Sequence, residues 1–427
     1  MKSNIEKRLD LNLINYPINL PKSLERVEKL LGKVGSPQDY LNNIIHIAGT
    51  NGKGSVLAYI KSCLVTKGFK INALTSPHLK DVNERIVINN TLVKDDLFIE
   101  NFSHLNSLSK NEKITFFEKI TACAYSLFHK NPSDWNLIEV GMGGQYDATN
   151  IIPKKDLAII TPISFDHEEF LGSDILDITR EKIGITNKNI LTVVGEQEDK
   201  VQNLILKNFL IKPENRFIYG VDWTLIKKKS EFFYEDEIDS IKISNPMMIG
   251  EHQKKNAALS VASLQLLKRA GKLKISNKEI EKGIKKTYWP GRLEFINKGK
   301  YKNLTNLEVW ADSCHNPAGS YVISKEMKHM NIKDKKEMIL IFSLKKNKSI
   351  LRFLNNFKNV FENLIYIELG SDHYSYEEIF QKINDFELLI KSSSSIEKAL
   401  KMIEGKSPSR VLVCGSIQLV GELIKDT

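Results

Sequence analysis

The chain reads as an α/β protein of two domains, each built on a mostly parallel sheet, and three observations carry that reading. Short β-branched runs alternate with longer amphipathic segments, the pattern of strands joined by helical crossovers. The alternation is interrupted once, at "YWPGRLEFI" (288–296), and then starts again. A glycine-rich turn, "AGTNGKGS" (48–55), stands where the first strand would end and the first long helix begin.

Taken in order, the strands of the first domain are "NIIHIA" (43–48), "KINALT" (70–75), "NLIEV" (136–140), "LAIITPI" (157–163) and "ILTVV" (190–194). Between them, "SVLAYIKSCLVTKG" and "EKITFFEKITACAYSLFHK" space their apolar residues as helices do, and Gly68 is placed to stop the first. Segment 210–245 is richer in aromatic residues and isolated strands, and is read as a small antiparallel excursion. Pro290 and Gly291 then break the helical pattern. Five runs follow: "LEVWADS", "EMILIFSL", "NLIYIEL", "FELLIKS" and "SRVLVCGS". The expected domains are therefore 1–294 and 295–427.

Bulk properties exclude several classes. With 427 residues, 41% hydrophobic and 27% charged, the chain suits a soluble globular protein. The start, "MKSNIEKRLDLNLINYP", lacks the apolar core of a signal peptide, and no later run is long enough to span a bilayer. Cys63, Cys123, Cys314 and Cys414 lie far apart with no C-x-x-C, which argues against a zinc or disulfide framework and for a reducing cytoplasm. The formal charge of +10 is spread over lysines interspersed with acids, as in "NKEIEKGIKK". Anionic small substrates fit that excess better than nucleic acid does.

The opening turn carries the chemistry. A standard phosphate loop reads G-x-x-x-x-G-K-[ST]; here Ile47 holds the first glycine's place and Gly54 the hydroxyl's. Gly49, Gly52 and Gly54 still permit conformations that turn N–H groups inward as an anion nest. Lys53 supplies a cation, Ser55 a hydroxyl for Mg²⁺, and the helix start its partial positive charge. The bland alternative is an ordinary strand-to-helix turn. "LIEVGMGG" puts Glu139 at a strand's carboxyl end, where open α/β sheets bind ligands, and "TPISFDHEEFLG" ends another strand with Asp166, His167 and Glu168.

These segments fall in the order of a known family. "HIAGTNGKGS", "TSPHL" with "NERI" behind it, "TFFE", "EVGMGG" followed by "DATN", "DHEEFLG" with "EKIGI", "GEHQKKNA", "PGRLE", "DSCHNPAG" and "GSIQLVGE" together resemble folylpolyglutamate synthase/dihydrofolate synthase, in the Mur ligase superfamily. The resemblance covers about residues 24 to 425. It implies a P-loop-type domain followed by a smaller Rossmann-like one, and an ATP-dependent ligase acting through an acyl phosphate. L-glutamate would be joined to dihydropteroate, to reduced folates or to both, by a cytoplasmic monomer without nucleic-acid or membrane partners. ATP and Mg²⁺ are implied, with a monovalent cation allowed.

Residue by residue, the resemblance assigns Gly49, Thr50, Asn51, Gly52, Lys53, Gly54 and Ser55 to ATP, with Asn256, Arg292 and Asp312. Ser55, Ser76, Glu139, His167 and a carboxylated Lys182 would hold the metal. Thr115, Phe116, Phe117, Glu118, Tyr146, Asp147 and Ala148 fall to the pteridine side, although Phe116 and Phe117 suit a plain core equally well. His315 and Ser416 lie with the incoming glutamate; Lys53, Lys182 and His315 are the implied catalytic residues. Three departures stand out: Gln145-Tyr146 where the family carries Arg-Leu, "DSCHNP" for "DGAHNP", and the basic "FSLKKNKS" for an acidic turn. Two other readings compete. A peptidoglycan Mur ligase for a UDP-muramoyl substrate usually carries a separate amino-terminal domain, for which the loop at residue 49 leaves no room. A non-catalytic P-loop protein has no need of the second domain's motifs.

Overall fold

The computed structural model describes residues 5, 8–9, 21–207, 211–243, 245–305, 307–383, 390–403 and 409–425. Most of the run 1–17 read above for a signal peptide lies outside them. The chain divides into two compact units. One comprises Met1–Ser164, Leu171–Met247 and Gln253–Tyr288; the other comprises Phe165–Phe170, Met248–His252 and Trp289–Thr427.

Eight strands organise the first unit: β1 (Ile44–Ala48), β2 (Ile71–Leu74), β3 (Ile86–Ile88), β4 (Thr91–Leu92), β5 (Trp135–Glu139), β6 (Leu157–Ile160), β7 (Leu191–Val194) and β8 (Arg216–Ile218). They lie in the order β4-β3-β2-β5-β1-β6-β7-β8. From β2 to β8 every pairing is parallel, and β3 and β4 close one edge as an antiparallel hairpin. Strands β1, β2, β5 and β6 are buried at every position. Strands covered on both faces need apolar residues on both, which is why they read as nearly unbroken apolar runs. All five predicted strands of this unit form, with shifted ends. Strands β3, β4 and β8 escape a sequence reading because two or three residues show no periodicity. Segment 210–245 supplies β8 and then an antiparallel sheet of β9 (Trp223–Lys228), β10 (Glu231–Asp236) and β11 (Ser240–Ile243).

Two helix starts differ from expectation. The helix after β1 spans Lys53–Lys67 rather than starting at Ser55, so Gly54 is helical and only Gly49 and Gly52 take positive φ. Gly68 ends it as predicted, at φ 101°, its N–H reaching the carbonyls of Leu64 and Val65. The helix read from residue 112 starts at Phe116, because Thr115 and Glu118 form a reciprocal capping box. Helix Asn277–Lys286 packs closely on Lys53–Lys67, where a Cβ on Gly283 would stand 2.5 Å from Cys63 Cα.

In the second unit, β12 (Glu294–Phe295), β13 (Glu308–Ala311), β14 (Glu337–Phe342), β15 (Asn363–Ile367), β16 (Ile390–Ser393) and β17 (Ser409–Cys414) form the sheet β12-β13-β17-β14-β15-β16. All neighbours are parallel except β12. The last strand in sequence, β17, is inserted between β13 and β14, and Phe342, Phe353, Phe357 and Leu412 fill the core beside it. Only the end of the predicted "FELLIKS" strand lies among the described residues, as β16.

Candidate active site

The loop Gly49–Gly52 is held by the chain that follows β6. Thr50 and Asn51 N–H both donate to Pro162 O (3.0 and 3.3 Å), and Thr50 Oγ1 donates to Ser164 O (2.9 Å). Gly49 passes so close that a Cβ there would lie 1.9 Å from Thr161 Oγ1. Gly52 stands at φ 91° against Asn256, whose Oδ1 would be 2.6 Å from an added Cβ. Asn256 Nδ2 is itself tied to Gln253 Oε1 (3.1 Å). No side chain caps the helix that starts at Lys53. Its first N–H groups have no intrahelical partner and face the position where an anion is favoured. Lys53 Nζ bridges the loop, donating to the carbonyls of Gly49 (3.1 Å) and Thr50 (3.2 Å), while Ser55 is buried in the first turn.

The sheet order β2-β5-β1-β6 sets the ends of these strands side by side. Glu139, buried at the end of β5, accepts the N–H of Ser76, just past β2 (3.1 Å). Lys182 is only 4% exposed on helix Ile175–Ile183, and its Nζ donates to the same Gly49 carbonyl at 3.1 Å. This helix also carries the "GMGGQYDATN" loop: Gln145 N–H donates to Glu181 O (2.8 Å), and a Cβ on Gly144 would stand 2.5 Å from that oxygen.

The pteridine-side residues separate by role. Asp147 is buried and accepts N–H bonds from Met142 (2.9 Å) and Thr149 (3.0 Å), so it shapes the loop. Burial raises its pKa against those bonds. Ala148 is buried beside it, and Tyr146 is 46% exposed. Thr115 and Glu118 cap their helix, and Glu118 also pairs with Arg26 at 2.9 Å. Phe117 lies on Gly141, where a Cβ would be 2.5 Å from its ring, and the Arg85 guanidinium stands 5.5 Å from the centre of the Phe116 ring. Both phenylalanines pack on the core as well. Arg85 Nε donates to His78 Nδ1 (3.0 Å); burial, aided by the Arg85 charge, lowers the His78 pKa to about 3. His78 and Arg85 lie within "TSPHL" and "NERI", and only the fold shows that they meet and that Arg85 faces Phe116.

In the second unit, Asp312 is buried after β13 and accepts N–H from Leu293 and Cys314, both at 2.8 Å. Burial raises its pKa, and the Arg292 charge pulls the other way. His315 donates Nδ1–H to Ser313 O (2.9 Å), which leaves Nε2 3.7 Å from Asp166 Oδ2. Asp166 also accepts from Asn316 Nδ2 (3.1 Å), the His167 N–H (2.9 Å) and Lys348. Burial would raise the Asp166 pKa, but the neighbouring His315 and the charge of Lys348 hold it well below the ordinary range. The basic turn is thus largely spent on ion pairs: Lys345 with Asp372, Lys346 with Glu378 and Lys348 with Asp166. Ser416 does not bond to His315 but to His373, a residue that the sequence did not flag.

Among the described residues, no group of three or more His, Cys, Asp and Glu side chains is arranged to hold a metal. Mg²⁺ keeps waters and substrate phosphates and needs only one or two protein carboxylates. Glu139 and the Ser55 hydroxyl, both buried in the loop's own unit, are donors of that kind.

An uncapped glycine loop at the end of a parallel strand, with a buried lysine on its carbonyl, defines an α/β protein with a phosphate-binding loop. No protein-family model matches the chain. It is 30% identical over 421 residues to a dihydrofolate synthetase of Saccharomyces cerevisiae, covering 94% of this chain and 97% of that one. It is 28% identical over 427 residues to the dihydrofolate synthase/folylpolyglutamate synthase of Bacillus subtilis, covering 94% of each. The structure of Escherichia coli FolC in complex with DHPP and ADP superposes with a TM-score of 0.85 at 26% identity, covering 99% of this chain and 97% of that one. The chain belongs to the dihydrofolate synthase/folylpolyglutamate synthase family.

Proposed function

We propose that this chain joins L-glutamate to dihydropteroate, to the glutamate tail of reduced folates, or to both, at the expense of ATP. The observation that carries the reading is the loop, with Lys53 across its mouth and buried Lys182 on the Gly49 carbonyl. A carboxylate is a poor electrophile because its charge repels nucleophiles and oxide leaves badly. Its oxygen attacks the γ-phosphorus and ADP departs. The glutamate amine then attacks the acyl phosphate carbon and phosphate leaves as the amide forms. Lys53 and the helix N–H groups neutralise and align the phosphates. Mg²⁺, when bound, supplies further charge neutralisation; Ser55, Ser76, Glu139, His167 and Lys182 would hold it.

Domain 1–294 takes ATP and the folate pocket, and 295–427 takes glutamate. Asn256, Arg292 and Asp312 serve the nucleotide. Thr115 to Glu118 and Tyr146 to Ala148 serve the pteridine side, with Glu118 and Asp147 acting through the backbone they fix. His315 and Ser416 serve glutamate. Lys182 acts as a carbamate, since a bare ammonium would repel the metal. The chain works as a cytoplasmic monomer, and among its described residues no helix is long and apolar enough to cross a membrane.

The test is ADP release that depends on glutamate, compared with dihydropteroate and tetrahydrofolate as acceptors. Turnover with neither, but with a UDP-muramoyl peptide, would overturn the reading. For Lys182, electron density should extend beyond Nζ in crystals grown with bicarbonate; a bare ammonium there counts against the carbamate.

A further inference from the structure

We propose that Asp372 and His373 orient the hydroxyl of Ser416 as a hydrogen-bond acceptor for the incoming amine, which makes His373 a positioning residue for the amino-acid substrate. The inference rests on the reading that Ser416 borders glutamate.

The geometry leaves one proton arrangement. His373 is 1% exposed, and its Nδ1 lies 2.8 Å from Asp372 Oδ1. A carboxylate only accepts, so Nδ1 carries the proton. In the neutral ring Nε2 is then a bare acceptor, and it stands 3.2 Å from Ser416 Oγ. The Ser416 O–H must therefore donate inward, to His373. Burial favours the neutral ring and lowers its pKa; Asp372 opposes this and Lys345 adds to it.

Ser416 also begins a helix. It occupies the N-cap of Ile417–Ile424, yet its side chain accepts none of the helix N–H groups. Of the other N-cap side chains in the same unit, Asn316, Ser375 and Ser395 do so and Ser349 does not. A serine at an N-cap ordinarily spends its lone pairs on the N–H of the second or third helical residue. Ser416 instead commits its proton to His373 and keeps its lone pairs. It sits just past β17, which is flanked by β13 and β14, at the strand ends where such sheets bind ligands. A hydroxyl with its proton held inward welcomes an ammonium donor, whereas one free to turn outward would meet it with a proton.

The loop that carries His373 is fastened to the basic turn. Lys346 N–H donates to Asp372 O (2.9 Å), Tyr374 N–H donates to Leu344 O (3.1 Å), and Lys345 Nζ pairs with Asp372 at 2.8 Å. "FSLKKNKS" thereby acquires a purpose: it fixes the Asp–His pair behind Ser416.

The experiment is steady-state kinetics of the full chain with glutamate, ATP and folate acceptor varied in turn. His373→Phe should raise the glutamate KM about tenfold, the scale of one hydrogen bond to a charged group, and leave the other two KM values unchanged. Ser416→Ala should match it, and the double variant should be no worse than Ser416→Ala alone. In the unaltered chain, glutamate KM should rise as pH falls through the His373 titration, because a protonated Nε2 turns the hydroxyl around. That rise should vanish in His373→Phe. Additive losses, or a glutamate KM unmoved by His373→Phe but raised by Ser416→Ala, overturn the proposal while leaving Ser416 at the substrate. An unmoved KM in Ser416→Ala removes the reading of Ser416 itself, and the proposal with it. Should His373→Phe fail to fold, Asp372→Ala decides, its side chain being 59% exposed. A smaller rise in glutamate KM supports the proposal, and an unchanged KM and pH profile refutes it.

Discussion

The two units both present polar groups at the ends of parallel strands, but they equip those ends differently. In the first unit the backbone does most of the work: Gly49 and Gly52 take positive φ, and the helix that begins at Lys53 has no side-chain cap. In the second unit, the helix that begins at Pro317 is sealed by Asn316, which accepts the Gly319 N–H. What remains there are buried side chains, among them Asp166, Asp312, His373 and Ser416. On the assignment proposed above, the contrast follows from the ligands. A triphosphate is a dense anion that converging N–H groups and one lysine can hold. Glutamate carries an ammonium and two carboxylates, so donors and acceptors must be placed one by one.

The largest test of this contrast is Lys53→Ala. ATP turnover should fall about 10³-fold, since the γ-phosphate loses its cation in a preorganised site. The thermal midpoint should barely move, because Lys53 bonds only to loop carbonyls. Near-normal turnover would contradict the phosphate-loop reading. Next comes Gly49→Ala, which brings a Cβ to 1.9 Å from Thr161 Oγ1 at φ 139°. It should cost about 3 kcal/mol in a denaturant titration, against about 1 kcal/mol for Gly68→Ala, where space is open and only φ is wrong. Equal losses would show that the close approach at Gly49 is unimportant.

Asn316→Ala is smaller, about 1–2 kcal/mol, because it removes a helix cap and one partner of Asp166 together. Calorimetry at neutral pH measures it. The smallest effect is a pH slope from His46, which sits inside β1 with Nε2 2.8 Å from Thr149 Oγ1. Burial first, then the nearby Lys155 charge, lowers its pKa well below the ordinary value. A depressed histidine contributes stability that is complete above its unfolded pKa of about 6.5 and is lost as pH falls. His46→Gln should therefore flatten the decline of the thermal midpoint on the acid side; an unchanged slope would show that His46 takes no part in it.

Much of this was legible in the residues. Strands β1, β2, β5, β6 and β7 could be read because central parallel strands must be apolar on both faces. Gly68 could be read because a helix end in the left-handed region favours glycine. The loop was legible as chemistry, but its inner geometry was not. Gly54 looks like a third nest glycine, yet it is helical, and Asn256 faces Gly52 across a sequence separation that no local pattern encodes. "TFFE" held a second role that the motif did not show. Its Thr115 and Glu118 have the spacing of a capping box, which their resemblance to pocket residues obscured.

By itself, then, the sequence determined the fold class, the order of strands and helices along the chain, the phosphate loop and the family. These rest on local periodicity, on glycine's freedom at positive φ and on short motifs. Only the tertiary structure decided which side chains meet. Asp166 joins Lys348 across 182 positions, and His373 joins Ser416 across 43. The physical reason is the sheet order. Inserting β17 between β13 and β14 and placing β5 between β2 and β1 brings distant strand ends together. Burial then drives most polar groups there to find a partner, although Thr161 Oγ1 and Ser313 Oγ have none.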